Sequence, residues 1–254
     1  MSNPEENDDQ GQSFLSHLIE LRSRLLRAVA AVLLILIALI PLANKLYAWL
    51  AKPLIENLPV GGAMIATDVA SPFFAPLKLA FFVAVFLAMP FILYQFWSFV
   101  SPGLYKHERR LAVPLLASSV ALFYIGCAFA YYLVLPAIFT FMTSVAPEGV
   151  TVMPDISRFL DFVLVLFLAF GFCFEVPVAL VVLVATGIAT PEQLTKSRPY
   201  TIVGAFVIAA ILTPPDVISQ LLLAIPMCLL YEVGIFAARL LARRLPDNSD
   251  APSA

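Results

Sequence analysis

Charge and histidine are scarce in this sequence, and each shortage excludes a class of function. Only 13% of the 254 residues are charged and the formal net charge is -2, so no basic surface is available for nucleic acid. The two histidines, His17 and His107, are too few and too far apart for a metal site, and no His-Glu-x-x-His pattern is present. We therefore expect no metal centre, no cofactor and no enzymatic activity.

Cysteine is also scarce, and its spacing excludes the usual cysteine chemistry. Cys127, Cys173 and Cys228 all lie within apolar stretches, and no Cys-x-x-Cys spacing occurs. We expect the three side chains to be small packing residues rather than a disulfide or metal-binding set.

Apolar residues, by contrast, make up 61% of the chain, and the mean hydropathy is +0.95. This composition is far too apolar for an ordinary soluble domain. The sequence therefore predicts an all-α integral membrane protein.

Six apolar runs are candidates for membrane-spanning helices, with prolines that bend or end the first three. The runs cover 28–43, 79–96, 111–135, 162–186, 201–213 and 217–231, and the prolines are Pro41, Pro90 and Pro114. The last two runs hold only 13 and 15 residues, which at about 1.5 Å per residue reach about 20 Å against a hydrocarbon core of about 30 Å. Joined by a tight turn at Pro214 and Pro215, these two short helices are expected to rely on snorkelling or local thinning of the bilayer.

Polar segments divide the remaining chain. The acidic stretch 1–13 is interpreted as a disordered cytoplasmic tail, 14–240 as the membrane domain and 241–254 as a second cytoplasmic tail. The connection 52–68 contains two prolines and two glycines, which is typical of turns, and is expected to form a structured cap outside the bilayer.

Basic residues are distributed unevenly between the two sides that six spans create. Eleven of the fifteen fall on the side that holds both termini, and four, Lys45, Lys52, Lys78 and Arg158, fall on the other. By the positive-inside rule, both termini and the charged segment 99–110 face the cytoplasm.

The segment 99–110 is a short charged island between two long uncharged stretches. Pro102 and Gly103 break the incoming helix, and Glu108 falls near the start of the next one, where exposed backbone N–H groups favour a carboxylate. The island therefore presents one carboxylate and several cations at a membrane boundary.

Five phrases occur in a fixed order along the chain. They are His-Leu-Ile-Glu-Leu-Arg at 17–22, Met-Ile-Ala-Thr-Asp-Val-Ala-Ser-Pro-Phe-Phe at 64–74, Leu-Tyr-Lys-His-Glu-Arg-Arg at 104–110, Ala-Phe-Gly at 169–171 with Phe-Glu-Val-Pro at 174–177, and Leu-Thr-Pro-Pro-Asp at 212–216. Together with six spans, they resemble the TatC family, the multi-spanning subunit of the bacterial twin-arginine protein translocase. The resemblance covers about 14–240 and implies a concave six-helix fold.

The resemblance also implies a function. It indicates a signal-peptide receptor in the bacterial cytoplasmic membrane that exports folded proteins by using the proton-motive force rather than ATP. Its expected partners are TatA-type and TatB-type single-span subunits, other copies of itself and twin-arginine signal peptides. The recognition surface of the family carries over onto Glu20, Arg22, Phe99, Tyr105 and Glu108.

Paired guanidinium groups need carboxylates, and Glu20 and Glu108 are the candidates on the predicted cytoplasmic side. Exposed ion pairs contribute only about 0–1 kcal/mol each, so we expect a partly desolvated site with Phe99 as an apolar wall. The alternative is that Glu20 pairs with Arg24 along its own helix and that Glu108 caps a helix.

Glu175 is the one acidic residue in the middle of the fourth run, where an ionised carboxylate costs at least about 2.5 kcal/mol. We hypothesise that it faces the concave side and contacts an inserting signal peptide or a partner helix. The alternative is a structural hydrogen bond across spans by the protonated side chain.

Polar side chains near the last turn are candidates for docking a partner helix. Thr213 and Gln220 can hold a single-span helix by hydrogen bonds of about 0.6–2 kcal/mol, as the family resemblance implies. The alternative is bonding within the hairpin, with Asp216 capping the last helix. Pro53 and the segment 64–74 are interpreted as cap architecture, with a contact between copies as a further role.

A proton-coupled small-solute transporter with Glu175 as its relay is the competing class of function. Such a transporter should show two related halves and more than one polar site at the midplane, and neither is found in the sequence. Chemistry concentrated at the predicted cytoplasmic surface favours the receptor.

Overall fold

The computed structural model describes residues 4–57, 64–100, 109–145, 153–212 and 217–243, and the regular elements in these ranges are helical. The α-helices are α1 (Pro4–Leu39), α2 (Ala43–Asn57), α3 (Ser71–Val100), α4 (Arg109–Phe129), α5 (Leu135–Ser144), α6 (Ile156–Ala185), α7 (Pro191–Lys196), α8 (Arg198–Leu212) and α9 (Val217–Ala242). A 3-10 turn at Ile40–Leu42 joins α1 to α2, and a π-helical turn at Ala130–Val134 joins α4 to α5. The prediction of an all-α fold is confirmed.

Five helical stretches of the described chain are long and apolar enough to cross a membrane. They are Ile19–Lys52, Ser71–Phe99, Val113–Phe141, Ile156–Ala185 and Val217–Ala242. α8 is apolar but has only 15 residues, as expected for the short run 201–213. The chain is therefore a multi-pass membrane protein, and its described residues include five helices of spanning length and one shorter apolar helix.

The last helix is longer than the sequence predicted. The apolar run ends at Tyr231, but α9 continues through Glu232 to Ala242 and has 26 residues, so of the two final helices only α8 is short. Glu232 Oε2 lies 2.6 Å from Nη2 of Arg198, and Ile235 and Ala238 beyond it are buried. A paired carboxylate ends an apolar run without ending the helix.

Two other predicted boundaries differ from the observed helices. α2 extends to Asn57, inside the segment 52–68 that was interpreted as a connection rich in turns. α1 begins at Pro4, inside the segment 1–13 that was interpreted as a tail. Pro41, however, lies in the 3-10 turn after α1, which confirms the predicted end of the first apolar helix.

α6 lies at the centre of the bundle, between α4 and α9, and its buried side chains form much of the core. Gly126 of α4 makes this close packing possible, because a Cβ atom there would lie 2.6 Å from the carbonyl oxygen of Phe170. Further along α6, a Cβ at Gly234 of α9 would meet Cα of Pro177 at 2.9 Å. Glycine thus allows the backbones of α4 and α9 to approach α6 closely.

α1 packs against α3 through a face of small residues. Ala84 and Ala88 lie four residues apart on α3, are fully buried, and contact the cluster around Val32 of α1. Small side chains at this spacing let two membrane helices approach closely. This packing positions the first part of α1 beside the last turns of α3.

The opposite end of α3 and the start of α6 are tied together by the segment 64–70. The backbone of Ile65 bonds to Pro154 and Ile156, which flank Asp155, and Asp155 caps α6 by accepting from the N–H groups of Ser157 and Arg158. Hydrogen bonds from the Thr67 hydroxyl and from backbone N–H groups hold the pKa of Asp155 well below its usual range. These contacts agree with the interpretation of 64–74 as cap architecture.

Candidate functional site

A small cleft separates α1 from α3 near the end of α3, and we call it the α1–α3 cleft. It has a volume of about 170 Å³ and is lined by Leu21, Arg24, Leu25, Ala28, Ile92, Gln95, Phe96 and Phe99. The residues from each helix are spaced by three or four positions, so each set lies on one helical face. Most of this lining is apolar, and Arg24 and Gln95 are its polar members.

Arg24 links Glu20 on its own helix to Gln95 on α3. Its Nε and Nη2 atoms donate to Oε1 of Glu20 at 2.9 and 2.5 Å, and its Nη1 donates to Oε1 of Gln95 at 3.3 Å. The side chain of Arg24 is 19% exposed, that of Glu20 is 42% exposed, and Gln95 is buried. The intrahelical pairing of Glu20 that the sequence left open as an alternative is therefore present.

The structure places the other predicted recognition residues in different ways. Phe99 is half-buried and lines the α1–α3 cleft four residues after Gln95, so it lies on the same face of α3. Arg22 is exposed and lines a separate shallow surface of α1 with Ser23 and Arg27. Arg24, which bonds to Glu20, thus lines the same cleft as Phe99, whereas Arg22 lines another surface.

Several predicted site residues lie outside the described part of the chain. They are Tyr105 and Glu108 in the segment 101–108, and Thr213, Pro214, Pro215 and Asp216 in the segment 213–216. Pro53 lies at a helical position within α2, but its side chain is outside the described residues. Their assigned roles remain predictions.

Gln220, a predicted docking residue, is half-buried at the start of α9. Its Nε2 atom donates to the carbonyl oxygen of Phe206 on α8 at 3.1 Å. This is the bond within the α8–α9 hairpin that the sequence left open as an alternative. It fixes the register of the two helices where they lie side by side.

Glu175 is half-buried in α6 and lies beside Ser119 of α4, which in turn bonds to Trp97 of α3. Its carboxylate interacts with the side chain of Ser119 on α4, and Trp97 of α3 donates from Nε1 to Ser119 Oγ at 3.2 Å. Oε1 of Glu175 is buried and has no hydrogen-bond partner among the described residues. A buried oxygen that is still able to accept a hydrogen bond makes Glu175 a second polar site of the bundle.

No group of three or more histidine, cysteine, aspartate or glutamate side chains in the described part of the chain could hold a metal ion. Cys127, Cys173 and Cys228 are free thiols, and Cys173 is buried, as expected for packing residues.

Comparison with known proteins identifies the family. The family described as Sec-independent protein translocase protein (TatC) matches residues 16–226. The chain belongs to the TatC family. Relatives named Sec-independent protein translocase protein TatC include one from Haemophilus influenzae, 55% identical over 92% of this chain and 91% of its own length. Another, from Escherichia coli, is 58% identical over 90% of this chain and 88% of its own length.

The fold agrees with solved structures of TatC proteins. A crystal structure described as the twin arginine translocase receptor TatC superposes with a TM-score of 0.80 and 41% identity, and the match covers 89% of this chain and all of that one. A second structure of a TatC protein in DDM gives a TM-score of 0.78 at 40% identity. The family match begins four residues before Glu20 and therefore includes the whole α1–α3 cleft.

The sequence analysis named Glu20 and Phe99 as candidates but not Gln95 or the pair formed by Trp97 and Ser119. Gln95 is the only amide side chain in the uncharged stretch 79–105, which was a usable signal. Its partner Arg24 is 71 positions away in the chain, so the contact itself could not be read from local spacing.

Proposed function

We propose that this chain is the signal-peptide receptor and core subunit of a Sec-independent, twin-arginine protein translocase, and that it exports folded proteins across the bacterial cytoplasmic membrane by using the proton-motive force. Membership of the TatC family and the fold shared with a TatC receptor structure support this function. The role is that of a receptor and transporter component rather than of an enzyme.

The position of Glu20 is the observation that supports a signal-peptide binding site at the α1–α3 cleft. Its half-exposed carboxylate bonds to Arg24, which lines the α1–α3 cleft together with apolar residues that include Phe99. A carboxylate next to apolar surface suits a signal peptide, because a guanidinium group binds the carboxylate and the apolar segment is buried against the wall. Glu108, in the segment 101–108 outside the described residues, is proposed as the second carboxylate of the site.

Orientation and partners follow from the same proposal. The excess of basic residues on one side supports a cytoplasmic location for both termini and for the end of the bundle that holds Glu20.

TatA-type and TatB-type single-span subunits and further copies of this chain complete the complex. The exposed apolar face of the short helix α8, including Val203, Val207 and Ile211, offers one surface for such a helix.

Site-specific crosslinking of a twin-arginine precursor to this chain in membranes tests the proposal. Glu108→Ala should strongly reduce crosslinking, and the double variant with Glu20→Ala should abolish it while the protein remains inserted. Glu56→Ala is a matched control, because Glu56 is an exposed carboxylate of α2 that pairs with Lys52 far from the cleft. Crosslinking retained by the double variant would place the receptor site elsewhere.

A further inference from the structure

A second cleft, which we call the α3–α6 cleft, lies between the end of α1 and the first turns of α3 and α6, at the opposite end of the bundle from the α1–α3 cleft. Its volume is about 560 Å³, which is within the range of small-molecule sites. Its lining is mostly apolar, and Lys78, Ser157 and Asp161 are its polar members. Phe74 and Phe81 of this lining are exposed, so the cleft is open at a surface of membrane helices that lipid contacts.

Lys78 of α3 and Asp161 of α6 form an ion pair at this cleft. Their side chains are 48% and 54% exposed, so both charges are accessible from the surface. The hydrogen bond that joins them uses one N–H donor of the Lys78 ammonium and one carboxylate oxygen of Asp161. An ammonium has further N–H donors and a carboxylate has a second oxygen, so each group retains capacity for a ligand.

The ion pair lies at the depth of the lipid headgroups. α3 and α6 have 30 residues each, and their length of about 45 Å matches a bilayer together with both headgroup regions. The hydrocarbon core then begins about 7 Å from the helix ends. From the starts of their helices, Lys78 and Asp161 are about 7–11 Å away, at the boundary between hydrocarbon and headgroups.

The apolar part of the cleft is short. Phe81, one turn further along α3 than Lys78, extends the lining toward the middle of the bilayer, and Leu36 of α1 lines the same cleft. Along α3 the lining runs only from Phe74 to Phe81, about 10 Å or a third of the hydrocarbon core. A cleft of this length fits the upper part of an acyl chain, whereas a spanning partner helix needs a groove about three times as long.

We propose that the α3–α6 cleft binds a single phospholipid whose headgroup is a zwitterion with N–H donors, a phosphate linked to a primary ammonium. The phosphate accepts from Lys78, the ammonium donates to Asp161, and an acyl chain lies against Phe81. A quaternary ammonium has no N–H group to donate, and an anionic headgroup without an ammonium is repelled by Asp161. The inference is independent of the signal-peptide site, because the two clefts share no lining residue.

Native mass spectrometry of the full-length chain in detergent tests the proposal with three lipids of identical acyl chains in equal amounts. The probes are phosphatidylethanolamine, phosphatidylcholine and phosphatidylglycerol. Wild type should retain several-fold more phosphatidylethanolamine than either of the others. Lys78→Gln should lower that retention by about tenfold, the effect of one charge-assisted hydrogen bond to the phosphate.

Asp161→Asn should give a different result from Lys78→Gln. It removes the repulsion of an anionic headgroup and keeps the cation, so phosphatidylglycerol should bind as well as phosphatidylethanolamine. Leu36→Trp narrows the cleft and keeps both charges, and it should lower the retention of all three lipids. Lys52→Gln is the matched control, since Lys52 pairs with Glu56 on α2 as an exposed lysine and carboxylate that do not line the cleft.

Thermal unfolding without added lipid shows that each variant is folded, and the rise in Tm that phosphatidylethanolamine causes in wild type should be lost in Lys78→Gln. Equal retention of the three lipids by wild type would overturn the proposal. So would an unchanged ratio of phosphatidylethanolamine to phosphatidylglycerol in Asp161→Asn. If Leu36→Trp changed the number of chains per complex and left lipid retention unchanged, the cleft would be a contact between copies instead of a lipid site.

Discussion

Oδ2 of Asp155 accepts two hydrogen bonds from Thr67, one from its backbone N–H at 2.9 Å and one from its hydroxyl at 2.6 Å. Thr67 lies in the segment that precedes α3, and Asp155 caps α6, so these bonds connect the two helices at one end of the bundle. The pKa of Asp155 is lowered because the hydrogen bonds favour the charged carboxylate.

A lowered pKa in the folded state predicts how this connection depends on pH. The stabilisation by Asp155 is fully present above the pKa of the unfolded chain, about 4, and is lost as pH falls through the lower folded value. Asp155→Asn should therefore lower the Tm of the purified protein at pH 7, and the difference from wild type should shrink below about pH 4. Asp68→Asn, at an exposed position in the same segment, serves as the control. An equal difference at every pH would show that the charge of Asp155 does not stabilise the fold.

Close packing of α4 on α6 predicts a steric effect at Gly126. The added methyl group of Gly126→Ala would lie 2.6 Å from the backbone oxygen of Phe170, so the backbone must shift, at a cost of about 1–3 kcal/mol. Gly204→Ala in α8 meets no atom within 4 Å and should be neutral or slightly stabilising, because alanine is the better helix former. Thermal unfolding of the two variants in the same detergent compares them directly. Similar Tm values would contradict the close contact between α4 and α6.

The pair formed by Arg198 and Glu232 aligns the start of α8 with the middle of α9. Both side chains are partly exposed, at 39% and 48%, so we expect Glu232→Arg to lower stability only modestly, by about 1 kcal/mol. The exchanged variant Arg198→Glu with Glu232→Arg should recover most of that loss. A double-mutant cycle on thermal unfolding measures the coupling. Additive losses without recovery would mean that the two charges do not interact in solution.

Glu175 and Ser119 allow charge and hydrogen bonding to be separated. Glu175→Gln keeps a side chain that can bond to Ser119 but removes the ionisable carboxyl group, so we expect an unchanged Tm and a reduced rate of precursor export in membrane vesicles. Ser119→Ala removes the neighbour and keeps the carboxyl group, so it should retain more export than Glu175→Gln. Full export by Glu175→Gln would assign Glu175 the structural role that the sequence left open.

The apolar pattern of the sequence was sufficient for the placement of the helices but not for all of their ends. Proline in an apolar run predicted the break at Pro41, and a run of 13 residues predicted the short helix α8. The end of α9 was misplaced because Glu232 was interpreted as a polar boundary, whereas it pairs with Arg198 and the helix continues. Whether a charge ends a helix depends on a partner elsewhere in the chain.

The same distinction holds for the candidate site, whose residues could be named from the sequence but whose contacts could not. The family resemblance selected Glu20 and Phe99, and a carboxylate and an aromatic ring at a membrane boundary suit a cationic, partly apolar ligand. The bond from Arg24 to Gln95 joins helices that are separated by 71 positions, and nothing in the local spacing predicts it. Contacts of this kind depend on the packing of α1 on α3, which the buried alanines of α3 determine.

The unequal lengths of the last two helices leave part of α9 without α8 beside it. Arg198, in the first turn of α8, forms an ion pair with Glu232 of α9. The ten residues 233–242 of α9 therefore extend past α8 as an overhang of about 15 Å. α7 covers this overhang: the Tyr231 hydroxyl donates to the carbonyl oxygen of Leu194 at 2.8 Å, and Arg239 donates to Thr195 Oγ1 at 2.7 Å. The six-residue helix α7 is thus attached to α9 by two hydrogen bonds and covers the apolar side of its final turns.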